Sequence, residues 1–451
     1  MNNVTSTAPC RVNLALQGGG SHGAFTWGVL DALLEDGRID IEGISGTSAG
    51  AMNAVALAHG FAGAEGKSKV QQHDAAREAL ASFWNGIVSM GALSSSMSKM
   101  QRAPFDILFG HMTMGTSAGP SRLWTDAMTR YWANTLSPYQ SNPFDINPLR
   151  KFLESQVDFE RLAATRHPGT PKVFVVATRV NTGKAEVFSG KRLTASAVMA
   201  SACLPMVFQA VEIEGDHFWD GGYTGNPAIH PLIYHCDSRD IVLVQINPIR
   251  RESLPTNANE IMDRINEITF NAGLIAEMRA IDFVKRLLTE GKLDPGHYKN
   301  VLMHRVDGGE ALERFTASTK SSTDAGLIQG LRDLGIRCCK EWLEKHHPAL
   351  GVQDSVNIAR DYLDDLRMPV TNANGRPVRP ERPEAVEASE RGKAAPVPPV
   401  STGAVKVSTP VQAPAPAPVS ASSAPAARKT VRHKIRSVLD NYLHKLKKRK
   451  D

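Results

Sequence analysis

The first 60 residues of the chain pass twice from a short apolar strand, through a glycine-containing turn, into a helix. The spacing of their apolar residues predicts a strand over 12–16, a helix over 23–36, a strand over 41–45 and a helix over 49–60. Strands that alternate with helices favour an α/β fold, in which helices cover both faces of a mostly parallel sheet. We therefore predict a three-layer α/β sandwich.

Later parts of the chain continue this alternation. We expect a surface loop over 60–75 and helical segments between 77 and 135. Further strands are predicted at 172–180, 185–188, 207–213, 218–219, 241–246 and 300–306. Further helices are predicted at 195–203, 259–290, 324–345 and 353–367, of which 259–290 is a long amphipathic helix.

Ser48 lies in the second of the two early turns, within the sequence Gly46-Thr47-Ser48-Ala49-Gly50. A sharp turn from strand to helix exposes a serine hydroxyl at the edge of the sheet, and glycines at 46 and 50 remove side chains that would collide there. The pattern G-x-S-x-G alone is weak, because it also arises by chance. Its place between an apolar strand and a helix of small residues indicates a nucleophile for acyl transfer.

The first turn has the sequence Gly18-Gly19-Gly20-Ser21-His22-Gly23. Acyl transfer needs hydrogen-bond donors for the oxyanion that forms at the carbonyl oxygen. Glycines leave their backbone N–H groups accessible to one oxygen, and the helix that begins near Gly23 adds positive potential at the same place. We therefore predict an oxyanion hole built from Gly18, Gly19, Gly20 and Gly23.

The same loop also fits the dinucleotide-binding pattern G-x-G-x-x-G at positions 18, 20 and 23. That motif requires an acidic residue about 20 positions later, at the end of the next strand. The acidic residues near that position are Asp40 and Glu42, which lie at the start of the next strand. The sequence therefore favours an oxyanion hole over a phosphate-binding loop.

Asp220 follows the apolar pair Phe218-Trp219 and precedes Gly221 and Gly222. The two glycines allow a tight turn that leaves the carboxylate accessible in a cleft, which suits a general base. Asp-Gly-Gly is also a common β-turn sequence, so the motif has a structural interpretation as well. In combination with the two earlier motifs, it indicates an acyl-transfer hydrolase.

Three histidines, at positions 217, 230 and 235, lie near Asp220 in the sequence. A triad in the chain order Ser, Asp, His is typical of α/β-hydrolases, and His230 or His235 would be its third member. None of His217, His230 and His235 belongs to a recognisable motif. The residues alone therefore leave both a dyad and a triad open.

The three motifs, taken in order, resemble those of the patatin family over about Leu14–Pro231. The segment Ala200–Pro205 also resembles the part of that family that precedes the strand of the catalytic aspartate. Patatins are lipid acyl hydrolases related to the cytosolic phospholipase type. The resemblance implies a lipid ester substrate, with phospholipase A or lysophospholipase activity, and it implies no metal and no cofactor.

By position, the resemblance implies that Ser48 is the nucleophile, that Asp220 is the base without a histidine, and that the Gly19 and Gly20 amides form the oxyanion hole. An aspartate is a weak base unless it is desolvated, so we expect its pKa to be raised. His22 departs from the family pattern, because many members carry Arg or Lys in the glycine loop. A fixed charge is thus replaced by a group that is neutral near pH 7.

The composition changes abruptly after Met368, since residues 369–427 contain 12 of the 27 prolines. Such a segment cannot bury enough apolar surface to offset its ordering entropy, so we predict a disordered linker. We divide the chain into four parts. These are a catalytic domain (12–233), a C-terminal part of the folded body whose strands and helices pack on the catalytic core (234–368), the linker (369–427) and a basic amphipathic helix (428–451).

Residues 428–451 hold ten Lys and Arg and two Asp, a net charge of +8, while the whole chain carries +6. An apolar stripe runs along the basic helix that these residues would form. A basic amphipathic helix suits an anionic membrane surface, and a protein partner is the alternative. No nucleic acid is expected, because the segment has one aromatic residue and no nucleic-acid motif.

Other features set the expected environment. No run of 18 apolar residues occurs, residues 1–11 lack the layout of a secretion signal, and the five cysteines lack metal-ligand spacing. These features predict a cytoplasmic protein, peripheral at a membrane or at a lipid or polyester granule. Five of the 14 methionines lie between Met90 and Met114, and we predict that this segment covers or lines the acyl pocket.

Two rival functions fit parts of the sequence. One is an esterase of the α/β-hydrolase type with a Ser-His-Asp triad. The other is a non-catalytic membrane or granule scaffold, which would use the helices of 259–367 and the basic tail and retain only a vestigial dyad. A fluorophosphonate probe discriminates the scaffold from both enzymes, because it labels only an activated serine.

Overall fold

The computed structural model describes residues 10–96, 137–165, 169–251, 254–315, 319–320 and 322–363. The chain divides after Met368 into two compact units, and all described residues belong to the first. The strands are β1 (Cys10–Leu16), β2 (Ile39–Gly46), β3 (Lys172–Arg179), β4 (Ala185–Ser189), β5 (Val211–Ile213), β6 (Asp216–Asp220), β7 (Asp240–Gln245) and β8 (Leu302–Asp307). The α-helices are α1 (Gly23–Asp36), α2 (Ala49–Gly63), α3 (Lys69–Ser96), α4 (Pro138–Ser141), α5 (Pro148–Gln156), α6 (Phe159–Ala164), α7 (Ala195–Ser201), α8 (His230–His235), α9 (Ala258–Thr289), α10 (Gly309–Glu313), α11 (Ala325–His346) and α12 (Ile358–Tyr362).

All eight strands form one sheet. β3, β2, β1, β7 and β8 lie side by side in that order and run parallel. β4 and β6 pair antiparallel with β3, and β5 pairs antiparallel with β6. The sheet is therefore mostly parallel, as predicted, and the later strands β7 and β8 extend the sheet that the first 60 residues begin.

Helices cover both faces of this sheet. Successive side chains of a strand point to opposite faces. Leu14 and Leu16 of β1 pack in a core with α1, α2, α3 and α11, whereas Ala15 packs in a second core with α8, α9 and α12. The central strands are apolar on both sides because both sides are buried. The prediction of a three-layer α/β sandwich is confirmed.

The surface loop expected over 60–75 is wrong at both ends, because α2 continues to Gly63 and α3 already begins at Lys69. The Ser68 hydroxyl accepts the N–H of Gln71, and the Gln71 side chain accepts the N–H of Ser68. Such a capping box starts a helix without any apolar residue. Apolar periodicity therefore places the start of this helix too late.

Two other predicted elements are shorter in the structure. The strand expected over 207–213 begins only at Val211, because the N–H groups of Val207 and Phe208 both turn back to the Leu204 carbonyl. The helix expected over 353–367 is limited, within the described residues, to Ile358–Tyr362. The Asn357 side chain caps it by accepting the N–H of Arg360.

Several predictions fall outside the described residues. These are the helical segment beyond Ser96, which holds most of the methionine-rich stretch, residues 364–367, the linker over 369–427 and the basic helix over 428–451. Among the helices that the structure does describe, none combines the length and the apolar character needed to cross a membrane.

Candidate active site

Ser48 and Asp220 meet because two strands end against the same edge of β3. β2 runs parallel to β3, and Gly46 pairs with Val175. β6 runs antiparallel to β3, and Asp220 pairs with Ala177. Since β4 occupies the opposite edge of β3, β2 and β6 share one edge, and their C-terminal ends face each other. Their ends lie two residues apart along β3, which corresponds to about 7 Å.

Ser48 has a backbone conformation that is rare for a residue with a side chain. Its φ is 53° and its ψ is −120°, and α2 begins at the next residue. A non-glycine residue with positive φ persists only where the surroundings hold it. One such support is the Ser201 hydroxyl, which accepts the Ser48 N–H at 2.9 Å. This turn from strand to helix is the sharp turn that the sequence predicted.

The Asp220 carboxylate is buried, with 1% of the residue exposed. It accepts a hydrogen bond from the Gly222 N–H at 2.7 Å, and the Ser48 hydroxyl lies near enough to it to lower its pKa. Burial raises the pKa of Asp220 to about 7, against the opposing effects of the Gly222 N–H and the Ser48 hydroxyl. The expected rise in pKa is therefore confirmed, and desolvation is its cause.

The backbone of Asp220 is fixed on both sides. Its N–H donates to the Cys203 carbonyl at 2.7 Å, and its carbonyl accepts the Thr178 hydroxyl at 2.8 Å. At Gly221, a Cβ atom would lie 2.0 Å from the Val176 carbonyl oxygen of β3. Only glycine allows this close approach, which explains the first glycine of the Asp-Gly-Gly motif.

The glycine loop packs directly on the turn of Ser48. A Cβ on Gly18 would lie 2.6 Å from the Thr47 carbonyl oxygen and 2.8 Å from the Ser48 Cβ. The N–H of Gly18 donates to Asn226 Oδ1 at 2.6 Å. Its carbonyl accepts Asn247 Nδ2 at 2.7 Å. Gly18 thus holds the loop in place next to the serine.

The four predicted oxyanion donors differ in their hydrogen bonding. The N–H of Gly18 is taken by Asn226, and the N–H of Gly23 turns back to the carbonyls at 20 and 21. Within the described residues, the N–H groups of Gly19 and Gly20 have no acceptor. These two amides are therefore the donors that the geometry leaves for a ligand.

A buried polar network lies beneath the loop, and sequence reasoning missed it. Gln17 Oε1 accepts the N–H groups of Ile246 and Asn247 at 2.9 and 2.8 Å. Gln17 Nε2 donates to the Asn226 carbonyl at 3.1 Å and to Asn271 Oδ1 at 3.3 Å. The signal was available, because polar Gln17 ends an apolar strand and a buried polar group needs partners.

His22 is buried, and its Nε2 lies 2.7 Å from the Thr319 hydroxyl. Burial lowers the pKa of His22 to about 3, and the positive charges of Lys320 and Arg251 add to this effect. The expectation of a neutral group in the loop is confirmed. The Nζ of Lys320 donates to Asn247 Oδ1 at 2.7 Å, so a cation does lie near the loop. It comes from a distant part of the sequence that no motif marked.

The histidines considered for a triad have other contacts. His217 is exposed on β6. His230 Nδ1 lies 3.1 Å from Glu277 Oε1. His235 stacks on the Phe174 ring at 5.7 Å. In the part of the chain that the structure describes, neither His230 nor His235 is brought to the serine or the aspartate, so the geometry does not support the triad alternative.

The described residues contain no group of three or more His, Cys, Asp and Glu side chains arranged to hold a metal ion. The predicted supporting glycines are all at the site. Gly46 and Gly50 flank the turn of Ser48, and Gly222 donates to the carboxylate. The structure therefore assembles all three sequence motifs at the ends of β1, β2 and β6.

Residues 14–233 match the model of the family described as patatin-like phospholipase. Among solved structures, VipD from Legionella pneumophila is similar, with a TM-score of 0.33 and 14% identity over 79% of this chain and 73% of that one. A chain of the ExoU–SpcU complex from the type III secretion system of Pseudomonas aeruginosa has a TM-score of 0.30 and 17% identity over 80% of this chain. The present chain spans 58% of that second protein. No curated protein matches the chain.

Proposed function

The chain belongs, through residues 14–233, to the patatin-like phospholipase family, and on this premise we propose that it cleaves carboxylic ester bonds of lipids with Ser48 as nucleophile and Asp220 as base. One observation carries the proposal. The hydroxyl of a serine at a positive-φ turn lies beside a buried carboxylate whose pKa is about 7, near enough to act on that pKa. At neutral pH such a carboxylate is partly ionised and still basic enough to accept a proton.

The first half of the reaction forms an acyl-enzyme. Ser48 Oγ bonds to the ester carbonyl carbon while its proton moves to the Asp220 carboxylate. The carbonyl oxygen becomes an oxyanion, for which the N–H groups of Gly19 and Gly20 are the proposed donors. When the tetrahedral intermediate collapses, the bond to the leaving alcohol breaks, and that alcohol takes the proton from Asp220.

The second half releases the fatty acid. A water oxygen bonds to the acyl carbon while Asp220 accepts one of its protons. The new tetrahedral intermediate then breaks the bond to Ser48 Oγ, which regains its proton from Asp220. The products are a free fatty acid and the original enzyme. Phospholipids and lysophospholipids are the proposed substrate classes, consistent with the lipid substrates of the family.

A labelling experiment tests the dyad. We expect a fluorophosphonate probe to label Ser48 in the wild-type chain, and we expect the His217→Ala, His230→Ala and His235→Ala variants to keep both labelling and ester hydrolysis within about tenfold of wild type. The Ser89→Ala variant, which changes an exposed serine of α3, is the matched control for the label. Mass spectrometry of the labelled peptide identifies the site.

Each alternative outcome has a clear meaning. A loss of about 10³-fold or more in one histidine variant would favour the triad. Failure of the probe to label any serine of the folded chain would favour the non-catalytic scaffold. The fatty acids and lysolipids released from defined phospholipids would then identify the bond that an active enzyme cleaves.

For the tail we propose binding to an anionic membrane surface. Its residues lie outside those that the structure describes, so the proposal depends on its charge of +8 and its apolar stripe. The tail supplies attraction rather than chemistry, because the catalytic motifs end more than 200 residues before it.

Deletion of 428–451 should leave hydrolysis of a soluble short-chain ester unchanged and weaken co-sedimentation with anionic vesicles. Each basic residue near such a surface contributes about 1 kcal/mol, so the loss should be large at low salt and fade at high salt. Equal binding by intact and truncated chains at both salt concentrations would overturn membrane binding by the tail and leave a protein partner as the alternative.

A further inference from the structure

The first half of α9 presents its apolar side to solvent. Ile261, Ile265 and Ile268 lie on one face of the helix, at i, i+4 and i+7, and are 43%, 50% and 56% exposed. Met262 beside them is 57% exposed. From Ile261 to Ala276, every exposed residue of the helix is uncharged. We call the four residues 261, 262, 265 and 268 the apolar face of α9.

The opposite side of the same half is polar and buried. Glu267 is 4% exposed and pairs with Arg251 at 2.6 Å and with Arg264 at 3.2 Å. Asn271 is 2% exposed, donates to the Pro248 carbonyl at 3.0 Å and accepts Gln17 Nε2 at 3.3 Å. Rotating the helix to bury its isoleucines would break these contacts and leave buried polar groups without partners. The orientation of α9 is therefore fixed by its polar side.

The helix also borders the active site. Its Phe270 packs edge-to-face on Tyr223, with ring centroids 5.3 Å apart. Phe270 also lies 3.2 Å from the position that a Cβ on Gly222 would occupy, and Gly222 donates to the Asp220 carboxylate. Through Asn271 the helix contacts Gln17, which precedes the glycine loop. A surface that docks on the apolar face therefore meets the helix that forms one wall of the site.

The charge distribution along α9 indicates what docks there. The uncharged stretch ends at Ala276, and two exposed arginines follow it, Arg279 and Arg286, of which Arg286 also pairs with Asp282 at 3.3 Å. Ile265, Ala272, Arg279 and Arg286 follow one another at intervals of seven residues, which is close to two helical turns. The two arginines therefore lie on the same side of the helix as Ile265. Aliphatic side chains that insert between lipids, next to arginines at the level of the phosphates, match the surface of an anionic bilayer.

We propose that the solvent side of α9 docks on a phospholipid bilayer and positions the active site against it. The proposal deepens the proposed function, since it depends on a lipid substrate held in a membrane. An isoleucine face of this kind is uncommon on a protein that stays in water. Docking through α9 and attraction through the basic tail differ in their response to salt, because the apolar contribution persists when charges are screened.

Binding is measured in the Ser48→Ala background, so that the result does not depend on hydrolysis. The triple variant Ile261→Ser, Ile265→Ser, Ile268→Ser should reduce co-sedimentation with phosphatidylcholine vesicles about tenfold in about 1 M salt, where electrostatic attraction is screened. The control variant Val70→Ser, Val352→Ser changes two residues that are 69% and 72% exposed on other elements, and it should bind as before. The double variant Arg279→Gln, Arg286→Gln should weaken binding only to phosphatidylglycerol vesicles at low salt.

Activity is then compared in chains with Ser48 intact. The triple serine variant should lose about tenfold in hydrolysis of vesicle phospholipid and nothing in hydrolysis of a soluble short-chain ester. Unchanged vesicle binding, or an equal loss on both substrates, would overturn docking through α9. A wild-type dimer that becomes a monomer in the triple variant, with vesicle binding intact, would show that a second copy of the chain covers this face. If the wild type hydrolyses no lipid, the proposed function fails while the binding experiment still tests docking.

Discussion

Replacing Ser48 by alanine, or Asp220 by asparagine, should lower kcat/KM for ester hydrolysis by about 10³-fold or more. Alanine removes the atom that attacks the carbonyl. Asparagine keeps the shape of the carboxylate but cannot accept the proton of the neighbouring Ser48 hydroxyl. The measurement is steady-state hydrolysis of a soluble chromogenic ester, with near-ultraviolet circular dichroism to verify the fold.

The double variant should be no slower than either single variant, because nucleophile and base act as one unit. Asp216→Asn is the matched control, since it changes an aspartate on the same strand that points to Arg179 rather than to the serine. It should keep activity within a few fold. An Asp220→Asn chain that retains most of its activity, or a double variant far slower than both singles, would contradict the dyad.

The pH dependence should show opposite trends for activity and stability. Only the ionised Asp220 accepts a proton, so kcat/KM should rise about tenfold per pH unit below its pKa of about 7 and level off above it. The folded state binds this proton more tightly than the unfolded state, where the pKa takes the ordinary value of 3.8. The free energy of unfolding that this group contributes therefore falls as the pH rises between these two values.

Asp220→Asn separates this contribution from all others. The free energy of unfolding of the variant minus that of wild type should increase by roughly 2 to 3 kcal/mol when the pH is raised from 5 to 8. Urea unfolding of both chains at the two pH values measures the gain. Because the buried His22 has a pKa of about 3, acidification also lowers the free energy of unfolding of the protein. This effect is common to both chains and cancels in the difference between them. If the difference in free energy of unfolding between the two chains is the same at pH 5 and at pH 8, Asp220 is ionised throughout this range.

The sequence predicted the fold well where local patterns determine it. Two passages from strand through glycine turn to helix fix β1, α1, β2 and α2, and the three motifs predict where the reactive groups lie. It did not predict how those groups meet. β6 pairs antiparallel with the edge of β3 whose first half pairs with β2. No local pattern in the sequence encodes that pairing. The start of α3 was missed because hydrogen bonds of Ser68, rather than apolar residues, define it.

The support of the site was harder to predict, since it comes from isolated polar residues far apart in sequence. Gln17, Asn226 and Asn247 form no motif, yet together they hold the glycine loop. Lys320 is also far from the glycine loop in sequence, and it contacts the same network through Asn247. The helix at 258–289 illustrates another limit. Its periodicity shows that one side is apolar but not which side packs inward, and near the site the buried polar network decides it.

Pairing with one edge of β3 fixes the distance between the two residues of the dyad. Gly46, two residues before Ser48, pairs with Val175, and Asp220 pairs with Ala177. Loops in the chain between β2 and β3 can therefore change in length without altering the separation of the two reactive residues. Register cannot change in this way. A slip of β6 by one residue would turn the Asp220 side chain to the opposite face of the sheet. Inactivity could therefore arise from a change in β3, β5 or β6 that leaves every reactive residue in place.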